Sequence, residues 1–320
     1  MGSSSPFSLK LQKYLQNKAN IIIIGRKNIL NNKFIYWDIK NYKKLNLKNI
    51  SNIDFIVYLA HDKSDTSLSF NNKNINAFNF LTQSIKMISQ NVKILFFSSH
   101  TIFNQNFLDY PYSYLKSQIE TKLCKNDYIF RIGLIYGIEN DQKIKKFYLT
   151  KIFNLHFIPK NINNLQPIHY KDLLKNIDDL IFKKKLFKTK NNFLNTHPIN
   201  LKNFLEFLNK SKTIYISIPN TFTFIFINLL KVFRFDLYLE ISSLTNLNFV
   251  RSDIQDAKYT NILTNFCQKN IWLTLFKILK KNAFKEKELI IIKKHFFEIS
   301  KSNDLRKLYL FYNYGFKKNE

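Results

Sequence analysis

The sequence predicts an α/β fold, a doubly wound parallel sheet followed by a smaller mixed lobe. Three observations carry that prediction. Short apolar runs of four to six residues recur through the first half, as strands buried on both faces require. The spacers between the later runs are long enough for crossover helices. A chain of 320 residues with 45% hydrophobic content, 32 Phe and 17 Tyr can bury a large core, which excludes a disordered protein.

Taken in order, residues 8–16 read as a helix behind the loop Met-Gly-Ser-Ser-Ser-Pro-Phe-Ser. Apolar runs at 21–24, 34–37, 55–60, 94–97 and 128–132 read as strands, with helices at 76–88 and 113–123. A nucleotide-binding sheet places its central strand ahead of the first helix, and no apolar run stands there, so the first strand is read as missing. Gly2 to Ser5 also suit a frayed terminus. Beyond Gly137 the pattern turns irregular. Helices are expected at 144–153, 170–182, 201–208, 222–233 and 272–281, and a strand at 213–218, stopped by Pro219. Residues 1–160 are thus expected to form the sheet domain, and 161–320 a mixed lobe with a basic C-terminal extension. Residues 222–230 are the most membrane-like piece. They are too short to span a bilayer and suit a buried helix, with an interfacial helix as the alternative.

The net charge of +28 raises nucleic acid or an anionic membrane as partners. Of the 50 basic residues, however, 45 are Lys and 5 are Arg, whereas specific phosphate and base recognition favours the rigid Arg fork. Lys, Asn, Ile and Phe abound together while Gly falls to 5, the mark of a bias across the whole chain. No specific nucleic-acid partner is therefore expected. Cys124 and Cys267 are solitary, which fits a reducing compartment and no metal. No secretory leader and no 18-residue uncharged apolar stretch is seen, so a soluble cytoplasmic protein is expected.

The residues with chemical potential cluster around 95–120. Ser98 and Ser99 stand at the end of a buried strand, the edge where open α/β sheets hold ligands. Tyr112 and Lys116 follow, four apart and so on one helix face. An ammonium beside a phenol stabilises the phenolate, and a nearby hydroxyl can hold a substrate oxygen, which together make a proton relay for alcohol oxidation or ketone reduction. With 17 Tyr and 45 Lys in the chain, the spacing alone also arises by chance.

In order along the chain these residues resemble the extended short-chain dehydrogenase/reductase family, in particular its nucleotide-sugar epimerases, dehydratases and reductases. The matching pieces are Ser98-Ser99, Tyr112, Lys116 and Glu120; the strand 54–61; Asn74 in the helix that follows; 130–137; 166–173; and 250–258. They cover about residues 1 to 260. The resemblance implies a Rossmann-like NAD(P)-binding domain over 1–160, with Tyr112 as general base and acid. It implies that Lys116 holds the nicotinamide ribose and that Ser99, rather than Ser98, hydrogen-bonds the reacting oxygen. It also implies cofactor contacts at Gly2, Ser5, Arg26, Asp38, Ala60 and Asn74, a nucleotide-sugar substrate and a homodimer. His100 and Glu139 are further acid–base candidates, each more readily structural or solvent-facing.

Three features depart from the family pattern. Gly2, Ser5 and Ser8 fall where three phosphate-loop glycines belong, and a Ser Cβ narrows the approach that Gly permits. Arg26 stands where an NAD enzyme carries an acid for the ribose hydroxyls, which favours NADP over NAD. Ser99 and Tyr112 are 13 positions apart, which shortens the substrate-side loop. A late chain start, a rearranged fold and weak dinucleotide affinity all stay open, as does a non-enzymatic binding or scaffolding role.

Overall fold

The computed structural model describes residues 5–27, 33–47, 50–62, 72–104, 110–139, 151–152, 155–159, 164–183, 187–209, 214–219, 247–254, 257–281 and 285–301, with isolated positions between them. Helix α1 (Pro6–Leu15) starts where Ser5 accepts a hydrogen bond from the Ser8 amide and Pro6 occupies the first turn. Its buried stripe of Phe7, Leu11 and Leu15 recurs every fourth residue. Strands β1 (Ile22–Gly25), β2 (Lys33–Tyr36) and β3 (Phe55–Tyr58) follow. Then come α2 (Lys73–Ile88), β4 (Lys93–Ser99), α3 (Pro111–Glu120) and β5 (Tyr128–Ile132). Every strand expected in this half is present within two residues at each boundary, and β4 runs on through Ser98 and Ser99.

Strands β3, β4 and β5 lie side by side, all parallel, and β10 (Lys190–Phe193) joins the outer edge of β5. On one face α2 seals the sheet: Tyr58, Phe78 and Phe96 are 1% exposed or less and meet at ring-centroid distances of 4.9–6.1 Å. On the other face α1 and α4 (Tyr170–Ile181) pack against Leu95, Phe97 and Phe130. Each such ring, fully buried, contributes about 1.5–3 kcal/mol. This is a Rossmann-like α/β arrangement.

Strands β1 and β2 pair in parallel but form a separate two-stranded sheet, and among the described residues no strand lies between β1 and β3. Their side chains nevertheless join the same cores, with Ile24, Ile56 and Tyr58 in one cluster and Ile21, Val57 and Leu59 in the other. The break falls where the first strand was expected to be missing.

The second half is mixed. Short β6 (Ile135–Tyr136) pairs with β9 (Ile168–His169), and β7 (Lys151–Ile152), β8 (Leu155–Pro159) and β11 (Ile214–Ile218) make a three-stranded sheet. Helix α5 (Leu201–Leu208) buries Phe204 and Leu205 there. The C-terminal helices α6 (Lys258–Lys281) and α7 (Glu286–Lys301) pack through Trp272, Leu275, Leu279, Leu289 and Phe296.

Three expectations need correction. Of the helix expected over 144–153, residues 144–150 and 153 lie outside the described residues, and Lys151 and Ile152 are strand, paired antiparallel to β8. The helix expected at 272–281 begins at Lys258, because Asn261, Asn265 and Asn270 interrupt the apolar pattern without breaking the helix. The stretch expected to form a buried helix over 222–230 is helical at its described positions, but Phe222, Ile225 and Leu229 are more than half exposed.

Candidate functional site

The parallel strands β3, β4 and β5 end on one edge of the sheet, and the residues of interest gather there. Strand β4 ends at Ser98 and Ser99, and α3 begins with Pro111 at its first position and Tyr112 at its second. The apolar positions Leu115 and Ile119 anchor α3 on the α2 face. One turn after Tyr112, Lys116 is drawn inward until only 4% of it is exposed. Its ammonium donates to the Phe97 carbonyl at 2.7 Å, sits 4.7 Å from the Phe96 ring centre and lies 5.6 Å from that of Tyr112. On another side of the phenol, the His61 ring meets Tyr112 edge to face, centroids 4.9 Å apart at 77°. Tyr112 and Lys116 are thus brought together, and His61, the last residue of the stretch 54–61, is a neighbour to which the sequence alone assigns no role. Its signal was its place directly after Ala60 at a strand's carboxyl end.

The two serines differ. The Ser99 hydroxyl caps the single turn that follows, accepting from the Thr101 amide at 3.2 Å and sharing a hydrogen bond with the Thr101 hydroxyl at 3.0 Å. Ser98 is 1% exposed and its Oγ finds no hydrogen-bond partner among the described residues; Ser113 Oγ on α3 is in the same position. Glu120 and Arg131 form a close ion pair with Nη2 to Oε2 at 2.6 Å, which ties the end of α3 to β5.

The turn after β3 is held by Asn74, whose side chain accepts from the Asp62 amide at 2.7 Å and donates to the Asp62 carbonyl at 3.1 Å. Ala60 lies directly ahead of that clamp and is buried. Asp38 caps a short turn after β2 by accepting from the Lys40 amide at 3.1 Å. Arg26 is exposed just past the end of β1. Ser5 caps α1, and Gly2 lies outside the described residues.

His100 is structural. It is 4% exposed, and its Nε2 donates to the Asn248 carbonyl at 3.0 Å, fastening the end of β4 to segment 247–254. Burial pushes its pKa down from 6.5 to about 4, against the pull of the Asn248 carbonyl. His169 is likewise pushed down to about 4, mainly by burial. Both are neutral in the fold, so between about pH 6.5 and 4 only the unfolded chain takes up their protons. Stability should therefore fall as pH drops through that window and level off below it, with His100 contributing about 1.4 kcal/mol per pH unit at the steepest. Urea midpoints measured across the window should fall less steeply in His100→Gln. An unchanged slope would show that His100 does not carry this effect. Glu139 is exposed.

No protein-family model matches the sequence, and no curated protein matches it. Solved structures do match the fold. A nucleoside-diphosphate-sugar epimerase from Staphylococcus aureus superposes with a TM-score of 0.58 at 12% identity, over 82% of this chain and 94% of that one. MoeE5 in complex with UDP-glucose and NAD gives 0.52 at 15% identity, over 82% and 89%. An L-threonine dehydrogenase from Phytophthora infestans gives 0.51 at 13%, over 84% and 96%. At these identities the likeness is one of fold, and it supports the Rossmann-like architecture.

Proposed function

We propose that the chain is an NAD(P)-dependent enzyme that epimerises, dehydrates or reduces a nucleotide-linked sugar, with Tyr112, Lys116 and Ser99 carrying the proton chemistry. The observation that carries this reading is the buried Lys116 ammonium, 5.6 Å from the Tyr112 ring at the carboxyl edge of β4. Burying an ammonium costs several kcal/mol, and a site that develops negative charge on the neighbouring phenol oxygen offsets that cost during reaction. Tyr112 gives or takes the proton at its phenol oxygen, and Lys116 compensates the charge. Ser99 holds the substrate oxygen. Its hydroxyl now faces Thr101, and a single rotation about Cα–Cβ turns it elsewhere.

A nicotinamide dinucleotide fits this edge better at one end than at the other. Lys116, Ala60 and the Asn74-clamped turn suit the nicotinamide end. At the pyrophosphate end the start of α1 has few donors to offer, because Pro6 has no N–H and the Ser8 amide is already taken by Ser5 Oγ at 3.1 Å. Exposed Arg26 suits a 2′-phosphate, which favours NADP, and Asp38 belongs to the adenine side. When bound, such a dinucleotide supplies and accepts the hydride. The basic character of the chain favours a diphosphate-bearing substrate. That MoeE5 was solved with UDP-glucose and NAD supports the reading, while the threonine dehydrogenase shows the same fold serving a different substrate. A cytoplasmic homodimer completes the proposal.

Titration of the purified protein with NADPH and NADH, followed by fluorescence, tests it. Saturable binding is expected, tighter for NADPH, and weakened by about tenfold in Lys116→Met. Absence of binding to either dinucleotide by a protein that is folded by circular dichroism would favour a second reading. In that reading the fold serves as a binding or scaffolding protein, which the break between β1 and β3 and the serines at the phosphate turn favour.

A further inference from the structure

Tyr112 stands where a helix holds its side chains least firmly. It is the second residue of α3, and Tyr110, which caps that helix, gives the first turn no side-chain hydrogen bond. The apolar residues that pin α3 to the α2 face, Leu115 and Ile119, lie further along. A phenol that gives or takes a proton must keep within narrow limits of distance and angle. The Lys116 ammonium, 5.6 Å from the ring centre, attracts the ring, but as a point charge it sets the ring's tilt only weakly.

A second hold on the ring comes from another element. His61 follows β3, and its ring meets Tyr112 edge to face at 4.9 Å and 77°, the arrangement that aromatic quadrupoles favour. What suits His61 to this task is its footing. Ala60 on one side is buried, and Asp62 on the other is gripped at both backbone groups: its amide donates to Asn74 Oδ1 at 2.7 Å, and its carbonyl accepts from Asn74 Nδ2 at 3.1 Å. Asn74 is itself buried and held by Asn72 Oδ1, which accepts from its amide at 2.9 Å and from its side chain at 3.1 Å. These bonds belong to the end of β3 and the start of α2, so the footing does not depend on the uncapped first turn of α3. Any apolar side chain would fill the space beside the phenol, whereas a planar ring at a near right angle also fixes its tilt.

We propose that His61 is a positioning residue for Tyr112: its ring, carried on the frame of Asp62, Asn74 and Asn72, fixes the tilt of the phenol, so that the Tyr112 oxygen keeps one place relative to Lys116 as charge develops on it. The role rests on the reading that Tyr112 carries the proton chemistry, whereas the contact between the two rings does not. What the imidazole supplies is a planar ring at the right angle, and it moves no proton.

Variants of the full chain test this. His61→Ala is expected to lower kcat about tenfold, with substrate KM and dinucleotide Kd within about twofold of the wild type, and His61→Phe, which keeps a ring in place, should recover most of that loss. In a Tyr112→Phe background His61→Ala should cost nothing further, because a residue that acts through the phenol has no effect once the phenol is gone. An additive loss in the double variant overturns the proposal. So does a His61→Phe as slow as His61→Ala, since the imidazole would then have chemistry of its own. His61→Leu fills the space without a planar ring and should behave as His61→Ala does, which keeps the test intact if the smaller side chain lowers Tm. A second readout needs no turnover. With 13C-labelled tyrosine, the resonance lost in Tyr112→Phe identifies Tyr112, and its position and titration midpoint should move in His61→Leu and return in His61→Phe. An unmoved Tyr112 resonance in folded His61→Leu overturns the proposal. If the wild type turns over no nucleotide sugar, the proposed reaction falls, while the tyrosine resonance still decides the role of His61.

Discussion

Replacing Tyr112 by Phe is expected to lower kcat on a nucleotide sugar by about a hundredfold to ten-thousandfold while leaving the dinucleotide Kd unchanged, the range that removal of a general acid–base group produces. The substitution is a clean one in this setting. The ring that meets His61 at 4.9 Å and lies 5.6 Å from the Lys116 ammonium is retained, so α3 and Lys116 keep their places. Only the hydroxyl is lost. Tyr112→Ala removes the ring as well and should disturb cofactor affinity too, through Lys116. The measurement is turnover of UDP-glucose, dTDP-glucose and their N-acetylated counterparts with NAD or NADP, beside the same cofactor titration. Full turnover in Tyr112→Phe would remove Tyr112 from the chemistry. Loss of cofactor binding in Tyr112→Phe would instead make its role structural.

The strands and the approach of Lys116 to Tyr112 were legible in the sequence for different reasons. Runs such as Ile21 to Ile24 and Ile94 to Phe97 announce strands buried on both faces, because nothing polar interrupts them and a fully buried strand has no solvent side to advertise. The gap between β1 and β3 was legible for the converse reason: no apolar run stands ahead of α1 in this sequence, and among the described residues β1 and β3 lie in separate sheets. Tyr112 and Lys116 were legible because four-residue spacing survives folding unchanged on a helix. What sequence could not show is set by distance in the fold. The meeting of His61 with Tyr112 joins positions 51 apart, and the pairing of His100 with the Asn248 carbonyl joins positions 148 apart. No local pattern encodes either. The capping role of Ser99 was hidden for another reason: strand ends and turn caps use the same residue, and only the direction of the hydroxyl separates a cap from a substrate ligand. The stretch after Pro219 misled because an all-apolar run reads as core, and its exposure depends on what the rest of the chain leaves uncovered.

Gly133→Ala should be among the most damaging single substitutions in the protein, at about 3 kcal/mol or more of stability. The chain has 5 glycines in 320 residues, so a composition that has shed Gly nearly everywhere still holds two of them between Phe130 and Gly137. Gly137 needs its freedom for a φ of +87°. Gly133 has no such backbone requirement, and the constraint there is space. A Cβ at Gly133 would lie 1.8 Å from the Gln166 carbonyl oxygen and 2.9 Å from its carbon. Neither atom can rotate away as a side-chain tip would, so the backbone of Gln166 must shift. Gln166 cannot shift cheaply. It is 1% exposed, and its amide donates to the carbonyls of Asn195 and Val250, both at 2.8 Å, while its Oε1 accepts from the Val250 amide at 2.9 Å. That one side chain therefore joins the end of β10 to segment 247–254, the segment that also holds His100. Moving it leaves buried amide groups without partners, at about 1–3 kcal/mol each. Thermal and urea unfolding of Gly133→Ala should show the loss, accompanied by faster amide exchange at Val250. A variant with an unchanged Tm would mean that β5 and the Gln166 turn can part by more than an ångström at no cost, and the close packing of the two halves at this junction would have to be abandoned.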